Sequence, residues 1–146
     1  MAREQLDPAR LRLRRAVQYQ EAGRDLYGPA MGDMAHGYAL NHLGKGYRLR
    51  TEIAVAQGRI DSAARHYQQA RRTMLAAIDV APTLGYPFGH LFDLLRLVED
   101  RGLENALALN VGEERTALRR RLESLEGEKG REVRRWLEEH YPEVWS

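Results

Sequence analysis

Apolar residues recur along most of this chain at the three- and four-residue spacing of a helix face, and no stretch alternates with the two-residue rhythm of a strand. The clearest pattern is Ala63, Tyr67, Ala70, Met74 and Ile78, at i, i+4, i+7, i+11 and i+15. Gly58 breaks the chain ahead of it, Asp61 is placed to cap it, and Pro82 ends it near Val80. Before that helix, residues 23–46 carry Gly23, Gly28, Gly32, Gly37, Gly44 and Gly46, with Pro29. A glycine inside a helix costs about 1 kcal/mol relative to alanine. A loop is therefore expected near 24–32, followed by a long helix from about Asp33 to Gln57. Within it Gly37, Gly44 and Gly46 would permit another helix to come close.

The N-terminal segment is punctuated as a helix of its own. Asp7 is a natural N-cap, Pro8 suits the first helical position, Leu6 and Leu11 are spaced as a hydrophobic staple, and Gly23 supplies a stop. Leu13, Ala16, Val17 and Gln20 share one face there, with Arg10, Arg12, Arg14, Arg15 and Tyr19 over the remainder. After the central helix, Thr83 to His90 holds Gly85, Pro87 and Gly89 and reads as a loop, with Tyr86 and Phe88 turned onto the core. Leu91, Leu94, Leu95 and Val98 mark a helix to about Arg101, and Leu103 to Leu109 another. Leu118, Leu122 and Leu125 line a third, ended by Gly127. The last, about Arg131 to His140, presents Val133, Trp136 and Leu137 and is followed by Tyr141, Pro142 and Trp145. The expected fold is all-α: one domain over residues 1–146, a compact bundle of five to seven helices.

Composition narrows the chemistry. With 146 residues, 43% of them hydrophobic and 30% charged, the chain is long enough for a self-sufficient core. It has no cysteine, which removes disulfides, thiolate metal sites and thiol catalysis. No apolar run approaches the roughly 20 residues that span a bilayer, and the first residues lack the apolar centre of a signal peptide. A cytoplasmic location with no membrane partner is the expectation. The net charge is +2, with 21 arginines against 2 lysines. Residues 1–80 hold 13 basic and 8 acidic groups, whereas residues 81–146 hold 10 and 13. Such an imbalance either draws an anionic partner to the first half or lets helix faces pair within the fold.

At residues 40–70 the spacing resembles the tetratricopeptide repeat. Leu40, Leu43, Gly44 and Tyr47 follow the order of that family's first helix, and Gly58, Ile60, Ala63, Tyr67 and Ala70 match its second. Small residues at Ala63 and Ala70 let two antiparallel helices approach, while the aromatic between them fills the wedge. The first helix is longer than the family's, and the closing proline is displaced to Pro82. A degenerate second copy spans about 91–110, through Leu94, Leu95, Val98, Gly102 and Ala106. The resemblance implies a helical hairpin, over about residues 37–80, that binds another protein.

Candidate catalytic groups do not assemble into a recognised constellation. Asp33, His36, His42, Glu52 and His66 lack the Glu-x-x-His pairs of a di-metal bundle, and His36 and His42 point to different sides of one helix. Ser62, Ser124 and Ser146 lie in no strained strand-to-helix turn, and the glycines of 23–46 form no phosphate loop. No metal, cofactor or catalytic residue is expected. Two functional readings remain. In the first, the chain is a non-enzymatic interaction module whose hairpin presents Tyr38, Asn41, Lys45 and Arg48 to a protein partner. In the second, it binds nucleic acid through Arg10, Arg12, Arg14, Arg15 and Tyr19, with Arg48, Arg50, Arg65, Arg71 and Arg72 extending the patch. The aromatic run from Trp136 to Trp145 either closes the core or docks on a second copy as a homodimer.

Overall fold

A long helix, α1 (Pro29–Ala56), and an antiparallel partner, α2 (Ile60–Val80), form the hairpin on which the other helices assemble. The structure is a computed structural model that describes residues 29–146 together with Leu11, Arg14, Arg15 and Gln18; these four are helical and exposed. The rest of the expected N-terminal helix, Arg10, Arg12 and Tyr19 included, lies outside the described residues. At 28 residues, α1 is about 42 Å long. It already includes residues 29–32, which the glycine content had assigned to a loop.

The turn between the two helices is a Schellman motif. Gly58, at φ +70°, bonds from its N–H to Val55 O (3.1 Å), and the Arg59 N–H reaches back to Ala54 O (2.9 Å). Arg59 occupies the N-cap of α2, so Asp61 lies in the first turn of the helix and not at the cap; there its carboxylate faces the positive end of the helix dipole. The pairing register is set by missing side chains. A Cβ on Gly37 would come within 2.5 Å of Ala81 Cβ, and one on Gly44 within 2.6 Å of Met74 Cε. Seven residues forward on α1 match seven residues back on α2, as antiparallel helices require. Ala63, Ala70 and Ala77, all fully buried, give the α2 side of this seam, and Tyr67 and Met74 fill the space between them. Gly46 has no neighbour within 4 Å of where its Cβ would be, so it takes no part in the close approach.

Three further helices follow: α3 (Tyr86–Asp100), α4 (Val111–Glu123) and α5 (Gly127–His140), with a 3-10 turn at Pro142–Trp145. Five α-helices and no strand make an all-α bundle of the described residues. Helix α3 begins earlier than the glycine and proline content suggests. Gly85, at φ +83°, caps it and Pro87 sits in its first turn, where a missing N–H costs nothing. Phe88 turns into the core as expected, but Tyr86 is 51% exposed. Between α3 and α4, residues 103–109 form a single turn (Leu107 N to Leu103 O, 2.9 Å) and not a helix, with Ala108 at φ +50°. Asn110 then caps α4 by accepting the Glu113 N–H at 3.0 Å. Glycine begins α5 instead of preceding it: Gly127 is its first residue, and one turn in, a Cβ on Gly130 would come within 3.0 Å of Leu125. The core is shared by α2, α3, α4 and α5 through Met74, Phe88, Phe92, Leu95, Leu122 and Leu137. Each such side chain contributes about 1.5–3 kcal/mol by leaving water.

Arginine ties the helices to one another. Arg71 grips Glu114 with two bonds (2.9 and 3.2 Å), joining α2 to α4, and Arg115 grips Glu99 (2.9 and 3.1 Å), joining α4 to α3. Arg121 reaches Asp79, Arg96 reaches Glu143, and Arg134 donates to the carbonyls of Leu122 and Leu125 at the end of α4.

The glycines of α1 are distinguishable by substitution. Gly46→Ala is expected to raise stability by up to about 1 kcal/mol through helix propensity alone. Gly37→Ala is expected to lower it by about 1–3 kcal/mol, because Ala81 Cβ is fixed to backbone and cannot yield. Gly44→Ala should fall between the two, since the atoms it meets are the far end of a flexible Met74. Urea denaturation of the three variants, with Gly37→Ala/Ala81→Gly as the compensating pair, checks the order. An equal effect at positions 37 and 46 would contradict the seam described above.

Candidate functional site

The face of α1 turned away from α2 carries an exposed stripe at helical spacing: Met34, Tyr38, His42, Lys45 and Leu49. Three of these are large apolar residues left open to water, Met34 at 36%, Tyr38 at 45% and Leu49 at 45%. Solvated helix faces more often present charged and short polar groups, and apolar residues in a row are what interaction surfaces retain. Beside the stripe, where α1 meets α3, lies an open cleft of ≈ 460 Å³ lined by His42, Lys45, Gly46, Arg48, Leu49, Glu52 and His90. Gly46 lowers its floor by having no side chain.

Arg48 organises the cleft's polar wall. Its Nε donates to Glu52 Oε1 one turn along α1 (2.8 Å), and its Nη1 donates to Asp93 Oδ2 on α3 (2.9 Å). The same Nη1 lies 2.9 Å from His90 Nδ1. A guanidinium has only donors, so His90 Nδ1 must accept; the ring is neutral and carries its proton on Nε2. Burial, reinforced by the nearby charges of Arg48 and Lys45, pushes the His90 pKa down to about 4. His90 therefore stays neutral across the physiological range. Asp93 also accepts the Tyr141 hydroxyl, and burial together with that carboxylate pushes the Tyr141 pKa up to about 12. Arg96 closes the chain of contacts. It stacks over the Tyr141 ring at 4.4 Å and bonds to Glu143, whose carboxyl the guanidinium holds below the usual range. One polar network thus runs from α1 through α3 to the 3-10 turn.

The structure divides the residues singled out from the sequence. Tyr38 is on the exposed stripe, and Lys45 and Arg48 line the cleft. Asn41 is only 5% exposed and must be removed from the partner-facing set, because its position turns it inward between the stripe and the seam. Arg14 and Arg15 are exposed. Of the arginines expected to extend a basic patch, Arg48 and Arg71 are engaged by carboxylates and Arg50 is buried, leaving Arg65 and Arg72 on the outer face of α2. His36 is buried and His42 exposed. Among the described residues no three His, Asp or Glu side chains gather as a metal site, and no helix is long and apolar enough to cross a membrane. The C-terminal aromatics separate: Tyr141 enters the core beside Val144 and Trp145 packs partly buried against it, while Trp136 stays 37% exposed beside Tyr86, ring centroids 6.2 Å apart. His90 and Asp93 escaped the sequence reading because they lie 42 and 45 residues from Arg48, on a helix whose start was taken for a loop.

No family model matches the chain, and no curated protein or solved structure matches it either.

The state of His90 is open to direct measurement. Long-range ¹H–¹⁵N spectra of the imidazoles should show His90 as the neutral Nε2–H tautomer from pH 8 to pH 5. Its folded pKa lies below the ordinary value of 6.5, so the unfolded chain binds the proton first. Stability is then expected to fall as the pH drops from about 6.5 toward about 4, and His90→Asn, which can still accept from Arg48, should flatten that part of the profile. An imidazolium signal for His90 at pH 6 would contradict the Arg48 contact.

Proposed function

We propose that this protein is a non-enzymatic interaction module that binds a protein partner along the exposed stripe of α1 and the adjoining cleft. The observation that carries this reading is the row of Met34, Tyr38 and Leu49, open to water on a helix whose opposite face is closely packed. The hairpin behind it supports a rigid presentation, since its two helices are held at the distance set by Gly37 and Gly44. The same close packing is what the tetratricopeptide resemblance implies, and that family's use of helical hairpins as protein-binding scaffolds accords with the reading. The cleft's ionisable groups also fit a binding role better than a catalytic one. Arg48, Glu52 and Asp93 are occupied with one another, and His90 spends its basic nitrogen on Arg48. The nucleic-acid reading gains less support, because arginines that would widen its patch serve as ties between helices.

Affinity capture from cell extract, with and without nuclease, tests the module. The wild-type chain should retain a specific protein in both conditions. Leu49→Asp should weaken capture by at least about tenfold, as expected for a central apolar contact. Gln68→Asp, on the outer face of α2, should leave it unchanged. Capture that vanishes with nuclease, or that ignores Leu49→Asp, would sink the proposal.

A further inference from the structure

The charge of the α1–α3 cleft limits what can fill it. Arg48 contributes no free cation, because Glu52 and Asp93 take its guanidinium on two sides. Lys45, exposed at the cleft wall, has no carboxylate within ion-pair distance among the described residues. It lies close enough to His90 to depress that ring's basicity. His90 has given its Nδ1 to Arg48, which leaves the Nε2–H as its remaining donor. The cleft therefore pairs one uncompensated ammonium with one fixed N–H donor. On either side lie the exposed faces of Tyr38 and Leu49, eleven residues or about 16 Å apart along α1.

From this arrangement we infer that the cleft receives an acidic, apolar peptide segment of a partner protein, one carboxylate held by Lys45 and the His90 Nε2–H, with flanking apolar side chains on Tyr38 and Leu49. The inference rests on the interaction-module reading and adds the chemistry of the partner. A nucleic-acid strand fits poorly. It would bring a phosphate every few ångströms to a cleft that, among the described residues, offers one free cation, and it would meet the carboxylate of Glu52, 40% exposed at the rim. The outer face of α2, with Arg65 and Arg72 beside Gln68, is more basic but exposes no large apolar residue, so it lacks the second half of the match.

The test is selection of random twelve-residue displayed peptides on the full chain, followed by fluorescence anisotropy with a synthetic copy of the enriched sequence. Enriched peptides should carry Asp or Glu between apolar residues. Lys45→Glu and Leu49→Asp, both at exposed positions, should each weaken the synthetic peptide by at least about tenfold, and Gln68→Asp should not. Binding should also move the His90 Nε2–H resonance. Enrichment of basic or uncharged peptides, no enrichment at all, or affinity indifferent to Lys45→Glu would overturn the inference. So would a labelled oligonucleotide that displaces the peptide in a Lys45-dependent way. If capture from extract still requires Leu49 while no acidic peptide is selected, the partner chemistry falls and the docking stripe stands. If neither depends on Leu49, both readings fall together.

Discussion

Everything in this bundle follows from two side chains that are missing. At Gly37 the backbone of α1 comes against Ala81, just past the end of α2, at a distance no Cβ could tolerate, and at Gly44 a Cβ would have to displace the end of the Met74 side chain. Each glycine sacrifices helix propensity of about 1 kcal/mol, and a packed seam of Ala63, Ala70 and Ala77 offsets that loss. Once α2 covers one face of α1, geometry assigns the others. The next face turns toward α3 and carries Arg48, and the face beyond it stays in water with Tyr38, Lys45 and Leu49. A looser hairpin, with larger residues at 37 and 44, would push α1 away from α2 and carry Arg48 out of register with His90 and Asp93.

Arginine abundance takes on a different meaning in three dimensions. In the sequence it suggests a surface for an anion; in the fold much of it joins one helix to another. The guanidinium suits this work because its planar fork fits a carboxylate with two bonds, as at Glu114 and Glu99, or caps a helix end through backbone carbonyls, as Arg134 does at α4. Partly exposed pairs of this kind add at most about 1 kcal/mol each. They fix the angle at which helices meet more than they hold the bundle together, a task that falls to the apolar core around Phe88, Phe92 and Leu137. The charge difference between the two halves of the chain is partly cancelled inside the molecule, since Arg48 and Arg71 from the first half meet Asp93 and Glu114 from the second.

The sequence made the helical class and the position of α2 readable because Ala63 to Ile78 repeats without interruption and ends before a proline. It misled where glycine and proline were taken only as breakers. Gly85 and Pro87 begin α3, and Gly127 begins α5, because a positive φ or a missing N–H is useful at a helix start. At 103–109 the opposite error arose: Leu103 and Leu107 have helical spacing but are satisfied by one turn. Half of the cleft was legible, since Lys45 and Arg48 lie on a helix whose register was clear. The other half depends on α3 lying beside α1, which no local pattern encodes. Asn41 shows the limit of face assignment on a long helix, where a displacement of one position separates the solvent from the interior.

The network centred on Asp93 also has an order in time. Residues 29–80 emerge from the ribosome before α3, and their hairpin closes through contacts near in sequence, which form fast. Arg48 then waits for His90 and Asp93, and Asp93 in turn waits for Tyr141, made 48 residues later. During that interval the carboxylate and the phenylalanine beside it both lack Tyr141, as Phe92 also packs on that ring at 5.3 Å. The 3-10 turn at Pro142–Trp145 is thus the latch of the assembly: the carboxylate that steers Arg48 is itself held by Tyr141, the residue that leads into that turn.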